Sequence, residues 1–382
     1  MKRAISVALM FPARISHLQK SIHGIADFAR KHEEWTFVMR PDSYTVSLES
    51  LHDWNGDGAI ALVDTEAALG ITRKLPFPVV NLSGALRDAD LPRVMVNHRA
   101  VGRLAAEHLL ECGFRRFAFY GVQNLWYVEL RREGFVERVE QEGYHCATLM
   151  VDPARMHGNP LSDGQKKLEQ WLSTIAVPVG LLACDDHHAR MVSQACSSLK
   201  LDVPSNVGII GVDNQEIICE FCEPPLSSVS RNDYEVGFQA AALLDRIISD
   251  KRSAKDVILV PPGDVVRRDS TDIVGVNDVF VTAAIRYIRQ NIERQFGIEH
   301  LATQISVSRR YLEQKFRSQL DCTPMDYLFK LRIERAKQML AANQQMKISH
   351  VARACGFTNS LQLRRAFHRI IGVSPQKYRQ TL

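Results

Sequence analysis

Near the C-terminal end, two short stretches set arginines, glutamines and small hydroxylic residues at the start of helices that follow tight turns. The first offers Ser308, Arg309, Arg310 and Gln314; the second offers Asn359, Ser360, Gln362, Arg364 and Arg365. Arg and Gln at such positions read base edges in a DNA major groove, while Ser, Thr and Lys hold phosphates. A second set of polar residues follows the apolar runs of the first two-thirds of the chain. It comprises His17 and Gln19, Asp64, Asn81 and Ser83, Arg131, Asp185 and Asp186, and Asp213 and Asn214. Carboxylates and amides that hydrogen-bond vicinal hydroxyls beside an aromatic platform are what a sugar site requires. Trp126 and Tyr127 are candidate platforms. Blander roles stand beside these. Asp186 is expected to cap the helix that begins at His187, and Trp126 and Tyr127 to pack. His187 and His188, adjacent on a helix, point apart and are expected to face solvent rather than a metal.

The elements that must carry the basic residues are helical from 278 to the end. Ile298–Gln304 with Ser308–Ser318, and Ile348–Ala354 with Asn359–Ile370, read as two helix-turn-helix units. In the second, Ala352 permits close helix crossing and Gly356 permits a turn at positive φ. Leu301, Ala302, Ile305 and Val307 fill these roles in the first, with Ser306 standing where Gly356 stands. A connecting helix, Pro324–Ala341, would be about 27 Å long. That is close to the roughly 34 Å of one duplex turn, so one chain could reach successive major-groove segments.

The first 270 residues alternate short apolar runs with amphipathic stretches. Strands are expected at Ala4–Met10, Thr36–Arg40, Gly58–Val63, Val79–Leu82, Arg116–Tyr120, Cys146–Val151, Val179–Ala183 and Val207–Gly211. Helices are expected at Leu18–Arg30, Arg99–Glu111, Leu130–Glu142, Lys166–Leu172, Asp186–Ser198 and Tyr234–Ser249. This rhythm predicts an α/β domain of doubly wound parallel sheets. Its length predicts two lobes, and its ligand should lie beyond the carboxyl ends of the strands. Residues 271–277 read as a linker and 278–382 as an all-α domain.

Charge follows the same division. From Val276 to Leu382 there are 18 basic and 7 acidic residues, leaving 30 basic and 36 acidic in the rest. A basic tail on an acidic body points to a polyanion partner for the tail alone. The 46% apolar and 24% charged content is that of an ordinary globular protein. The apolar run at the N-terminus is too short for a signal peptide, and no stretch reaches membrane-span length. Cytoplasmic location is expected. The eight cysteines, including the Cys219/Cys222 pair, lack a zinc-site partner pattern and are expected as free thiols. There is no dinucleotide fingerprint, P-loop or nucleophile elbow, so neither enzyme nor cofactor is expected.

The tail resembles the DNA-binding domain of the AraC family over about 100 residues. The resemblance rests on Val351-Ala352, Cys355-Gly356-Phe357, Phe367, Gly372-Val373-Ser374-Pro375 and Tyr378-Arg379. It implies base contacts from Arg310, Gln314, Ser360, Gln362 and Arg365; Leu361 departs from the polar residue that can stand there. The body resembles the LacI-type, periplasmic-binding-protein-like sensor in Arg131–Phe135, Leu182–Asp186, Gly211–Asn214 and Pro225–Val229. That resemblance implies that Arg131, Asp185 and Asp213 face an effector. Together they imply a homodimeric transcription activator that binds operator DNA, contacts RNA polymerase and responds to a monosaccharide, D-xylose being the expected one. The loop from Pro12 to Lys20, and Asn97-His98 in place of Asp-Asn, depart from that pattern and leave other monosaccharides open. Two rivals remain: an enzyme with a basic tether, and a ligand-independent repressor or architectural DNA-binding protein.

Overall fold

The computed structural model describes residues 4–12, 16–31, 35–39, 48–152, 163–250, 256–272, 278–342 and 346–379. It divides into two compact units, 1–273 and 274–382. The first contains, in chain order, β1 (Ile5–Met10), α1 (Ser16–Lys31), β2 (Trp35–Met39), β3 (Gly58–Ala61), α2 (Glu66–Thr72), β4 (Val79–Asn81), β5 (Arg93–Val96) and α3 (His98–Glu111). It continues with β6 (Phe117–Val122), α4 (Trp126–Gln141), β7 (Cys146–Val151), α5 (Asp163–Thr174), β8 (Val179–Ala183), α6 (Asp186–Ser198) and β9 (Val207–Val212). It closes with α7 (Glu216–Glu220), β10 (Ser227–Val229), α8 (Asp233–Asp250), β11 (Val257–Val260) and β12 (Val265–Val266).

These strands form two six-stranded sheets, ordered β11-β5-β4-β3-β1-β2 and β12-β10-β9-β8-β6-β7. All the pairings are parallel except β10 with β12. The apolar runs explain the layout: every residue of β6, β8 and β9 is buried, as strands covered by helices on both faces must be. The two sheets are the cores of two lobes. The chain crosses between them three times, from β5 into α3, from β10 into α8, and from β11 to β12. The crossings lie together: the Asn97 amide donates to the Val260 carbonyl (2.7 Å) and the Ser230 amide to the Asp264 carbonyl (2.9 Å).

Two helix pairs, α1 with α8 and α3 with α4, lie close to these crossings. In the second pair the backbones nearly touch. A Cβ at Gly102 would sit 1.9 Å from the Arg131 carbonyl oxygen, and one at Gly134 would sit 2.0 Å from that of Arg99. Only glycine permits this approach, and it fixes the turn of α4 that carries Arg131. The structure also adds to the expected elements. Helix α4 starts at Trp126 rather than Leu130, and β5, β10, β11 and β12 are strands too short to show a pattern. Thr271, at the start of the expected linker, is buried in the first unit; residues 273–277 lie outside the described set.

The second unit contains α9 (Val279–Gln290), α10 (Ile298–Gln304), α11 (Arg309–Leu320), α12 (Pro324–Ala342), α13 (Ile348–Ala354), α14 (Ser360–Ile371) and α15 (Pro375–Arg379). It has two small cores. Val281, Ile288, Leu301, Leu312, Phe316 and Leu328 form one; Ile333, Leu340, Val351, Phe357, Leu363 and Phe367 form the other. Helix α12 contributes to both. At the junction the buried Arg332 donates to the carbonyls of Ile292 (2.9 Å) and Arg294 (2.6 Å), and its guanidinium lies 5.7 Å from the Phe357 ring.

Candidate functional site

In the first unit, the polar residues that converge lie at the carboxyl ends of β8 and β9, against the crossings. The Arg131 side chain, 1% exposed, is the hub. Its Nη1 donates to the Cys184 carbonyl, its Nη2 to Asp213 Oδ1 (3.1 Å) and its Nε to His98 Nδ1 (3.2 Å). Asp213 and Asn214 follow β9 with φ of +99° and +44°. This is backbone that few side chains adopt and that Asp and Asn tolerate best. Asp213 also faces Arg231 (3.6 Å), which pairs with the buried Asp233 (2.9 Å). Burial works against the Arg231 charge, but Asp233 and Asp213 outweigh it and its pKa rises. Burial raises that of Asp233.

The first lobe meets this cluster directly. The amides of Trp126 and Tyr127 donate to the carbonyls of Ala85 (2.9 Å) and Gly84 (3.0 Å), and the Ser21 hydroxyl donates to the Asp233 carbonyl (3.0 Å). Tyr127 lies 5.1 Å from the Arg131 guanidinium and 5.5 Å from the His98 ring. Trp126 has the Arg93 guanidinium over its ring at 5.3 Å. The cluster thus sets acids and bases in alternation beside the Tyr127 ring.

The expected cap is displaced by one residue. Asp185, not Asp186, caps α6: its Oδ1 accepts from the His188 amide (2.9 Å) and lies 2.7 Å from His188 Nδ1. Burial opposes ionisation of Asp185, but His188 outweighs it and lowers its pKa. Burial likewise opposes the charge on His188, but the Asp185 carboxylate that it faces favours it and its pKa rises. His187 is exposed, whereas His188 is mostly covered, so only the first faces solvent as expected. Asp186 is fully buried, accepting from the Gln215 amide (2.7 Å) and the Ser228 hydroxyl (2.6 Å). Burial and the Asp213 charge push its carboxyl up to about 7.

Cys184, Asp185 and His188 offer three ligand atoms within 4.8 Å of one another, the one group among the described residues that a cation could use. Asp185 Oδ1 is already engaged by the backbone amide and Nδ1 of His188, and burial pushes the Cys184 thiol up, keeping it protonated. The arrangement serves a helix cap and an ion pair. All eight cysteines are free.

Other expected members lie apart. Asn81 is buried and ties strand ends together, accepting from the amides of Val63 (2.9 Å) and Ser83 (2.8 Å); Ser83 accepts from the Ala85 amide (3.1 Å). Asp64 and Gln19 are exposed, and His17 lies in α1 with its side chain outside the described set. A cavity of about 640 Å³, bordered by Gly56, Arg73, Pro78 and Pro92, lies at the opposite, amino-terminal ends of β3, β4 and β5. It has no link to the Arg131 cluster. Arg231, two residues after the three-residue β10, carries no signal in the sequence, whereas His98 stands out there only as a departure from the Asp-Asn pattern.

In the second unit, both turns have the predicted geometry. Ser306 adopts φ +60° and Gly356 φ +77°. Ser308 caps α11, accepting from the Tyr311 amide (3.2 Å), and Asn359 caps α14, accepting from the Gln362 amide (2.9 Å). Gln362 Oε1 accepts in turn from the Thr358 amide (2.8 Å). Arg309 is clasped by Glu299 (2.7 Å) and Glu313 (2.9 Å). These four are engaged in holding the helix starts, whereas Arg310, Gln314, Arg364 and Arg365 are exposed and Ser360 is half-buried. Arg310 and Gln314 share one face of α11, and Arg364 and Arg365 project from α14.

This combination defines a class: a two-lobed sensor of periplasmic-binding-protein type joined to a double helix-turn-helix DNA-binding unit. Residues 106–271 match a periplasmic binding protein-like domain, 301–381 a helix-turn-helix domain, and 6–98 a XylR N-terminal domain. The chain is an AraC-type transcriptional regulator with a LacI-like sensor domain. It is similar to the xylose operon regulatory proteins of Haemophilus influenzae (27% identity over 98% of this chain and 97% of that protein) and Escherichia coli K12 (26%, 98% and 96%). Among solved structures it resembles that of the xylose-binding transcription activator XylR, with a TM-score of 0.77, 26% identity and coverage of 100% and 99% of the two chains. The first unit alone shares its fold with a cellobiose complex of the regulator CelR, at a TM-score of 0.56 and 17% identity. No described helix is long and apolar enough to cross a membrane.

Proposed function

We propose that this chain is a sugar-responsive transcription activator whose effector is a pentose, D-xylose foremost. The observation that carries the reading is a similarity spanning sensor and DNA-binding unit together, with relatives named for the xylose operon. The cleft chemistry supports it. Arg131, Asp213, Arg231 and Asp185 offer charged donors and acceptors to neighbouring hydroxyls beside Tyr127, and charge-assisted hydrogen bonds of that kind hold a small polyol strongly.

Sugar bound between the lobes favours the arrangement in which both contact it. It can shift the balance between the two arrangements by no more than its differential affinity for them. The active species is a homodimer in the cytoplasm that binds operator DNA and engages RNA polymerase. His98, held by Arg131 and close to Tyr127, stands at the position where the expected Asp-Asn pattern is broken, and it sets which monosaccharide fits.

The deciding experiment is thermal unfolding of the purified protein against a panel of pentoses and hexoses, because a ligand bound only by the folded state raises the transition. A selective shift with D-xylose supports the reading, and a shift with another sugar renames the effector. No shift with any sugar removes the sensor function.

A further inference from the structure

The segment that leaves the sensor unit is hydrogen-bonded to the loop that presents Asp213 and Asn214. Arg268, just after β12, donates through Nη2 to Asn214 Oδ1 (2.9 Å) and through Nη1 to the Leu226 carbonyl (2.9 Å). Its amide donates to Ser227 Oγ (2.8 Å), and that hydroxyl donates back to the Arg268 carbonyl (2.9 Å). Ser227 Oγ lies 2.7 Å from Thr271 Oγ1, which lies 2.7 Å from Nε2 of the buried His108. Ser270 is fixed as well: its hydroxyl donates to the Ile209 carbonyl (2.5 Å) and accepts from the Ser227 amide (2.8 Å).

One face of the 213–215 loop is therefore held by Arg268. The other is held by Ser228 and Asp186, through the amides of Asn214 (3.0 Å) and Gln215 (2.7 Å). Thr271 stands three positions before Val274, where the DNA-binding unit begins. We propose that Arg268 is a positioning residue that couples the effector loop to the chain segment entering the DNA-binding unit; this rests on the sugar-sensing reading of the same cleft.

The physical reason is rigidity at both ends of one side chain. Asp213 and Asn214 sit in left-handed backbone that neighbouring hydrogen bonds must maintain. A ligand that draws on Asp213 or the Asn214 amide changes that loop, and the guanidinium joins the loop to residues 268–271. Arginine suits the task because its planar fork holds two acceptors in fixed relation, which lysine cannot do.

Two measurements test it. The first is DNA affinity of the full chain with and without saturating D-xylose, and D-xylose affinity with and without DNA. The two ratios must be equal in the wild type by linkage, and a coupling of roughly 5- to 150-fold is usual. In Arg268→Met both ratios fall to about one, and Arg268→Lys lies between. A wild-type ratio in Arg268→Met overturns the proposal, since a merely structural role would lower the melting temperature without removing the coupling.

The second needs no sugar: amide hydrogen exchange in Asn214→Ala, a change at the far end of the link. Faster exchange at Arg268 and Ser270 is expected, and wild-type protection there overturns the proposal. If wild-type DNA binding ignores D-xylose, the functional reading fails on that result, and the exchange measurement still decides the Arg268 link.

Discussion

Arg131 Nη2 and Asp213 Oδ1 lie 3.1 Å apart beyond the carboxyl end of β9, with 1% and 10% of their side chains exposed. A pair this well covered behaves differently from a surface ion pair: removing one member strands the other in low dielectric, at a cost of about 3–5 kcal/mol. Asp213→Ala should therefore lose the sugar response and also lower the unfolding temperature of the sensor unit. A neutral double variant, Arg131→Met with Asp213→Asn, keeps a residue that tolerates φ +99° and should recover part of that stability while losing the sugar response. Sugar-dependent stabilisation in the double variant would remove both residues from the binding site.

The two helix-turn-helix turns make a matched pair of tests. Ser306 and Gly356 share positive φ, but Ser306 already carries a Cβ, whereas one added at Gly356 would lie 2.5 Å from the Ile292 carbonyl and 2.9 Å from Arg332 Nη2. Ser306→Gly should stabilise the DNA-binding unit by up to about 1 kcal/mol, because glycine carries no left-handed penalty. Gly356→Ala should destabilise it by more than about 1 kcal/mol, since strain adds to displacement of the buried Arg332. Equal effects of the two changes in thermal unfolding would contradict the geometry.

Much of this was legible in the sequence, for identifiable reasons. β7, β8 and α6 fall where periodicity puts them, because a continuous apolar run followed by a capped amphipathic stretch has few alternatives. β10, β11 and β12 were missed because they have two to four residues, and Val257–Val260 pairs with a strand some 160 positions earlier. The site was half legible. Asp213 and Arg131, both named from their positions in the sequence, do lie together, but the cap falls on Asp185, one residue before the expected Asp186, since either aspartate satisfies the local rule. The burial of Asp186 comes from Ser228 and Gln215, which no local pattern reveals. Arg231, His98 and Arg268 act through partners distant in sequence.

His108 gives a pH test of the segment that Ser227 and Thr271 secure. Burial, helped by Arg267, lowers its imidazole to about 4, from an ordinary value near 6.5. The neutral ring is the folded form, so below pH 6.5 the unfolded chain takes up a proton that the folded chain refuses until about pH 4. This contribution to stability is full above about 6.5 and is lost as pH falls through that window. Asp186 acts in the opposite sense. Its carboxyl, raised to about 7, makes stability fall as pH rises from about 4 to 7. Denaturant titrations at several pH values should show a less acid-sensitive His108→Gln, and an Asp186→Asn that no longer loses stability toward neutrality. A wild-type profile in either variant would mean that the group titrates alike in both states.

The recognition helices separate residues that look equivalent in sequence. Arg309, Arg310 and Arg365 are all exposed, but Arg309 is held by Glu299 and Glu313, at 2.7 and 2.9 Å. To reach DNA it must leave two carboxylates, and those carboxylates would then face phosphates, so its net contribution is small. Arg310 and Arg365 have no such competition among the described residues. Their replacement by alanine should weaken operator binding by about 1–3 kcal/mol for a base contact, with specificity relaxed at one position; for a phosphate contact, the salt slope should fall by about one. Arg309→Ala should leave affinity within about 0.5 kcal/mol of wild type, consistent with the modest worth of exposed ion pairs. Titrations of operator and unrelated duplex at several salt concentrations measure all three. A larger loss from Arg309→Ala than from Arg310→Ala would mean that the Glu299–Arg309–Glu313 clasp opens on DNA, making Arg309 the reading residue of the first unit.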